Sequence, residues 1–197
     1  TYQLRNDDLD QALTSIQVFL RSFPTHRDAS ILLIEIYHRQ GTLTAAMKQC
    51  QKLLLIEIEA QKMHKKPNMY LPNAYFISAL IHAKSNLVST AIAHAKLCLA
   101  HLEKLDKSAK SPFKEPATFL LSKLLLAEAI RLFKEGRTAD SHVALHAAHK
   151  FASELLSQQT PNTNNQSVSQ FLRRKLAGDI NAFNIVSNRS EERFSRN

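Results

Sequence analysis

The sequence predicts an all-α chain of about eight helices joined as hairpins. Three observations carry this. Only 3 Gly and 6 Pro interrupt 197 residues rich in Leu, Ala, Lys and Gln, which favours helix nearly throughout. Eight stretches place apolar residues at helical spacing, and none alternates as a strand bounded by turn residues would. The breaks are of two kinds: tight turns at Asp7, Gly41, Asn86 and Gly136, and longer links that contain proline.

Asp7 or Asp8 caps a first helix bearing Leu9, Leu13, Ile16, Phe19 and Leu20, and Pro24 stops it. A second runs from about Asp28 to Gln40 and ends at Gly41, the residue suited to a left-handed helix end. Thr42 or Thr44 caps a third, through Met47, Cys50, Leu53 and Leu54 to about Gln61. "HKKPNMYLPN" is a loop, and Pro72 opens a fourth helix that runs to about Lys84. The fifth spans about Leu87 to Leu105, with Ala91, Ala95, Cys98, Leu99 and Leu102. After "DKSAKSPFKEPA" come a sixth helix, about Ala117 to Lys134, and a seventh, about Thr138 to Ser157. "SQQTPNTNNQS" is polar and of low complexity, and residues 159–167 form a linker. An eighth helix, about Val168 to Phe183, carries Phe171, Leu172, Leu176, Ile180 and Phe183; it lies in a capping segment, 168–186, before a polar, frayed tail over 187–197.

Ala12 and Ala46 are 34 residues apart, as are Asp7 and Gly41, and each turn residue precedes its alanine by five. Tyr37 precedes Gly41 by four, and Pro24 follows Ala12 by twelve. This pattern resembles the tetratricopeptide repeat, a helical hairpin with an aromatic late in its first helix, Gly at the turn, Ala in the second helix and Pro at the end. The same frame fits Tyr75, Ala79, Asn86 and Ala91 in a third unit, and Leu125, Ala129, Leu132, Gly136 and Ser141 in a fourth. Ser141 departs from the pattern, the closing Pro is missing from both later units, and the turn-to-turn spacing grows from 34 to 45 to 50. The resemblance covers residues 1–158 and implies a right-handed α-solenoid in which small side chains let paired helices approach. The first unit has only its second helix, so the chain is expected to be a segment of a longer solenoid.

The resemblance also implies that the first helix of each hairpin lines a concave groove. Its frame puts Ile31, Leu32, Glu35 and His38 there from the second unit, Phe76, Ile77, Leu80 and Lys84 from the third, and Leu126, Ile130, Phe133 and Lys134 from the fourth. "SILLIEIY", "AYFISALI" and "FLLSKLLLAEAIRLF" are apolar on more than one side. Burial between neighbouring hairpins accounts for that, and so does an exposed apolar trough. Such a trough, with cations at its lip, would hold a peptide or helix with acidic flanks. Family members that clamp a C-terminal carboxylate use Lys, Asn and Arg on this face; the equivalent positions here are mainly Leu32, Ile77 and Glu35, so that clamp is not expected. The expected role is a protein-interaction scaffold or adaptor for a partner protein or peptide, as a subunit of a multiprotein complex.

The net charge of +9 is regional. Residues 61–114 carry nine Lys and two acids, while residues 1–60 sum to −1. Binding of nucleic acid or an anionic surface through this stretch is one alternative, although aromatic interleaving is thin. A ligand-sensing domain of a larger regulator is another. His142, His146 and His149 share one side of the seventh helix at a spacing that could chelate a metal, but no partner carboxylate accompanies them, so neither metal nor cofactor is expected. Cys50 and Cys98 lie in apolar helical stretches and read as reduced core thiols. No Gly-rich phosphate loop, nucleophile elbow or paired-carboxylate motif points to catalysis. With no signal peptide and no apolar segment long enough to span a bilayer, the expected location is intracellular, cytoplasmic or nuclear.

Overall fold

Three residues with positive φ set the architecture: Gly41 (φ 74°), Asn86 (φ 58°) and Gly136 (φ 77°). The computed structural model describes residues 6–64, 68–105, 113–157 and 168–194. These hold eight helices: α1 (Asn6–Ser22), α2 (Arg27–Arg39), α3 (Leu43–His64), α4 (Leu71–Lys84), α5 (Val88–Lys104), α6 (Lys114–Lys134), α7 (Thr138–Ser157) and α8 (Val168–Phe194). The three left-handed residues close the hairpins α2–α3, α4–α5 and α6–α7.

Each of these turns has the same hydrogen bonds. The amide of the left-handed residue donates to the carbonyl three back: Gly41 to His38 at 3.2 Å, Asn86 to Ala83 at 3.2 Å, Gly136 to Phe133 at 3.1 Å. The next amide reaches five back: Thr42 to Tyr37, Leu87 to His82 and Arg137 to Leu132, each at 2.9 Å. This is the Schellman closure, which satisfies carbonyls a helix end leaves orphaned. Asn serves at 86 because its short side chain tolerates the left-handed region better than most.

Five residues beyond each left-handed position stands a small side chain sealed from solvent: Ala46 and Ala91 at 0% exposure and Ser141 at 1%. From there a spine of small and medium residues continues on one face of each second helix, through Cys50 and Leu53 on α3, Ala95 and Cys98 on α5, and Leu145, Ala148 and Ala152 on α7. Ala79 and Ala129, seven residues before their turns, are sealed on the first helices. Ser141 keeps the close crossing and adds a bond: its hydroxyl donates to the Ala129 carbonyl across the hairpin at 2.8 Å. Ser122 on α6 does the reverse, donating to the Ala148 carbonyl on α7 at 2.8 Å.

The chain forms two compact units, residues 1–111 and 112–197, where the sequence suggests one run of repeats over 1–158. The division falls in the long proline-bearing link before α6. In the first unit α1 packs on α2, α2 on α3, α3 on α4 and α4 on α5, in chain order. In the second, α6 packs on α7, and α8 packs on both. Leu176 and Ile180 of α8 are buried, whereas the side chains of Phe171 and Leu172 lie outside the described residues.

Several ends differ from expectation. α2 starts at Arg27 because His26 caps it, its Nδ1 accepting the Ala29 amide at 3.2 Å. Thr42 stands just ahead of α3, its carbonyl accepting the Ala46 amide at 3.1 Å and its hydroxyl donating back to the Tyr37 carbonyl at 3.0 Å. α8 extends to Phe194, so most of the expected polar tail is helical.

Candidate interaction surface

The residues expected on the inner face divide between the units. In the first unit, Leu32 on α2 is 46% exposed and Leu80 on α4 is 37% exposed. Both are large apolar side chains on helices whose other leucines and isoleucines are largely buried or half-buried. Glu35 and Lys84 are exposed, and Ile31, His38, Phe76 and Ile77 are half-buried. Glu35 is engaged by Arg39 one turn on, at 2.5 Å, so this pair adds no net charge to the face. α4 is apolar on nearly every side, and the reason is visible: α3 covers one flank and α5 another.

In the second unit the corresponding side chains face α8. The Phe133 ring meets the Phe183 ring of α8 edge-on at 5.6 Å. Leu126 is buried, Ile130 and Phe133 are half-buried, and Lys134 is exposed. Leu126 and Ile130 line a cleft of about 300 Å³ between α6 and α8, together with Phe119 and Lys123 of α6 and Lys175, Leu176 and Asp179 of α8. α8 therefore shares the apolar stripe of α6, through Phe183 against Phe133 and Leu176 in the cleft.

His142 is half-buried while His146 and His149 are exposed, and His149 Nδ1 sits 3.4 Å from the Ser153 hydroxyl. Among the described residues no group of three or more His, Cys, Asp or Glu is placed to hold a metal ion. Cys50 and Cys98 are free and buried, and burial pushes each thiol up to about 12. Among the described residues no helix is long and apolar enough to cross a membrane.

Two polar clusters escaped the sequence reading. Glu57 on α3 is 1% exposed. Its carboxylate accepts from Arg27 Nε at the start of α2 and from Asn68 Nδ2 at 2.7 Å, and the same Asn68 amide reaches the Glu57 carbonyl at 2.9 Å. The Arg27 guanidinium lies over the Tyr70 ring, 4.4 Å from its centre. A cleft of about 520 Å³ opens beside this tether, between the α1–α2 link and Tyr70. The second cluster joins α4 to α5 through Ser78, His82 and His94, with Tyr75 and His101 stacked alongside at 5.5 Å. Ser78 Oγ and His94 Nδ1 are 2.8 Å apart, a spacing met in nucleophile–base pairs, but Ser78 is 0% exposed and no substrate reaches it. The spacing of Ser78 and His82, one turn apart, was the available signal, and it acquires meaning only when His94 is brought opposite.

No family model matches the sequence, and no curated protein matches it either. Among solved structures, the chain is similar to the crystal structure of MamA, with a TM-score of 0.48 and 12% identity, over 97% of this chain and 93% of that one. The hairpins are tetratricopeptide-like. That description stands on the three identical turns and the sealed small residue five positions beyond each.

Proposed function

We propose that this chain is a protein-interaction scaffold, and that the α2 and α4 faces of its first unit receive a peptide or helix of a partner protein, within a multiprotein complex. The observation that supports this most is the exposure of Leu32 and Leu80 on helices whose remaining apolar residues are mostly covered. Half-buried Ile31, Phe76 and Ile77 would extend the apolar strip, and Lys84 at its edge suits an acidic flank on the partner. Leu126, Ile130, Phe133 and Lys134 would contribute only through the narrower α6–α8 cleft.

A photo-crosslinking amino acid at position 80, compared with one at the exposed Leu97 of α5, tests the reading in native extract. Partner adducts should form at 80 and not at 97, and Leu32→Asp with Leu80→Asp should abolish them while helicity and melting temperature hold. Equal adducts at both positions, or adducts that survive the double substitution, would refute it. Adducts that vanish steeply with added salt would instead favour an anionic partner bound by the lysines.

A further inference from the structure

The α4–α5 interface contains an oriented chain of hydrogen bonds. His82 Nδ1 lies 2.7 Å from the Ser78 carbonyl, which can only accept, so this nitrogen carries the proton. The same nitrogen is 3.3 Å from the Ser78 hydroxyl oxygen. With the His82 proton directed at the carbonyl, the Ser78 hydroxyl has its own proton to give to His94 Nδ1 at 2.8 Å. His94 Nδ1 is then an acceptor, and its ring is neutral. The two imidazoles meet edge-on at 5.1 Å, and Tyr75 packs against the His94 ring at 5.7 Å.

We infer that this hairpin is a proton-sensitive element, in which proton uptake on His94 reverses its bond to Ser78 and loosens α4 from α5. A protonated Nδ1 must donate, yet the hydroxyl it faces has its own proton pointing the same way. The hydroxyl must swing to a helical carbonyl, and a cation is left half-buried between the His82 and Tyr75 rings.

Among the described residues, the charged groups acting on the rings are basic: His82 on α4 against His94, and Lys104 on α5 against His101. Lys84 of α4 and Lys96 and Glu103 of α5 are exposed. α3, packed on α4, presents Glu57, whose carboxylate is held by Arg27 and Asn68, while its Lys48, Lys52, Glu59, Lys62 and His64 are exposed. Burial, reinforced by His82, lowers the pKa of His94 below the ordinary 6.5, and burial with Lys104 does the same for His101. Burial keeps the Tyr75 phenol un-ionised by raising its pKa.

The sign follows. A histidine whose folded pKa is depressed binds protons more readily when unfolded, so its contribution to stability is intact above about 6.5 and declines as pH falls toward the folded value. Since α4 bears Phe76, Ile77 and Leu80, acid would disperse that face; this consequence rests on the function proposed above, whereas the device itself does not.

Hydrogen exchange of the full chain at pH 7.5 and 5.5, with labelling times matched for intrinsic rate, tests it without any partner. α4–α5 amides should lose protection in acid, by at most about tenfold for each depressed histidine at pH 5.5, one unit below the unfolded value, and α6–α7 amides should change less. Ring NMR should show His94 titrating below 6.5. His94→Asn keeps an acceptor where Nδ1 was and cannot titrate, so most of the acid loss should vanish. Ser78→Ala removes the proton donated to the neutral ring, so the His94 titration should move up toward 6.5 and the acid loss should shrink. Equal acid loss in His94→Asn, a His94 titration at or above 6.5, or an unmoved His94 titration in Ser78→Ala would overturn the inference. If His94→Asn fails to fold, the native ring titration and Ser78→Ala decide it.

Discussion

Replacing Arg27 by Met should cost the first unit about 3 kcal/mol, because it strands a buried carboxylate. Breaking a buried ion pair by removing one partner costs roughly 3–5 kcal/mol. The lower end applies here, since Arg27 is 37% exposed and Asn68 still donates to Glu57 at 2.7 Å. Glu57→Met should cost less, about 1 kcal/mol, because the freed guanidinium lies near enough to the surface to regain water. The double substitution should cost about 1–2 kcal/mol, since two apolar side chains of similar length replace the pair. The coupling between the sites is then about 2–3 kcal/mol. All four tyrosines, at 2, 37, 70 and 75, lie in the first unit and the chain has no Trp, so tyrosine fluorescence during urea unfolding follows that unit alone. Single and double variants whose costs simply add would refute the buried-tether reasoning.

Gly41→Val should lower stability by about 2 kcal/mol and Gly41→Asn by under about 1 kcal/mol, measured on the same fluorescence transition. No atom lies within 4 Å of a Cβ built at Gly41, so the cost would be one of backbone conformation, and a Val variant no worse than Asn would refute it. Cys50 and Cys98, with thiols pushed up to about 12, should resist a disulfide reagent at pH 8 in the native chain and react fully in denaturant; reaction of either at the denatured rate would show that its helix opens.

The helices and their pairing were readable because their causes are local. A left-handed turn residue has to be Gly or Asn, a crossing point has to be small, and both leave marks at fixed offsets, as Gly41 with Ala46 and Asn86 with Ala91 show. Glu57 left no such mark. In "LLLIEIEAQ" it reads as one more polar interruption, and its burial depends on Arg27, thirty residues earlier, and on Asn68 in a loop. The inner face of α6 was half readable. Leu126, Ile130 and Phe133 form a stripe at helical spacing, and Leu176, Ile180 and Phe183 form its counterpart on α8. Each stripe needs a cover, and the pattern alone cannot say that each covers the other rather than a partner.

The two units solve one packing problem with different polar groups, and the difference has consequences. Helices that cross on alanine bring their backbones near enough for a short side chain to bond across. α6 and α7 use this distance for Ser122 and Ser141, whose hydroxyls reach carbonyls on the facing helix. Those bonds contain no group that titrates between pH 4 and 9. α4 and α5 cross on Ala79, Ala91 and Ala95, all at 0% exposure, and bridge the same gap with Ser78 and two imidazoles. A serine-to-carbonyl bond would have held the second pair of helices as well as it holds the third. Histidine in its place makes the strength of the crossing a function of pH, and it does so on the helix that carries Leu80.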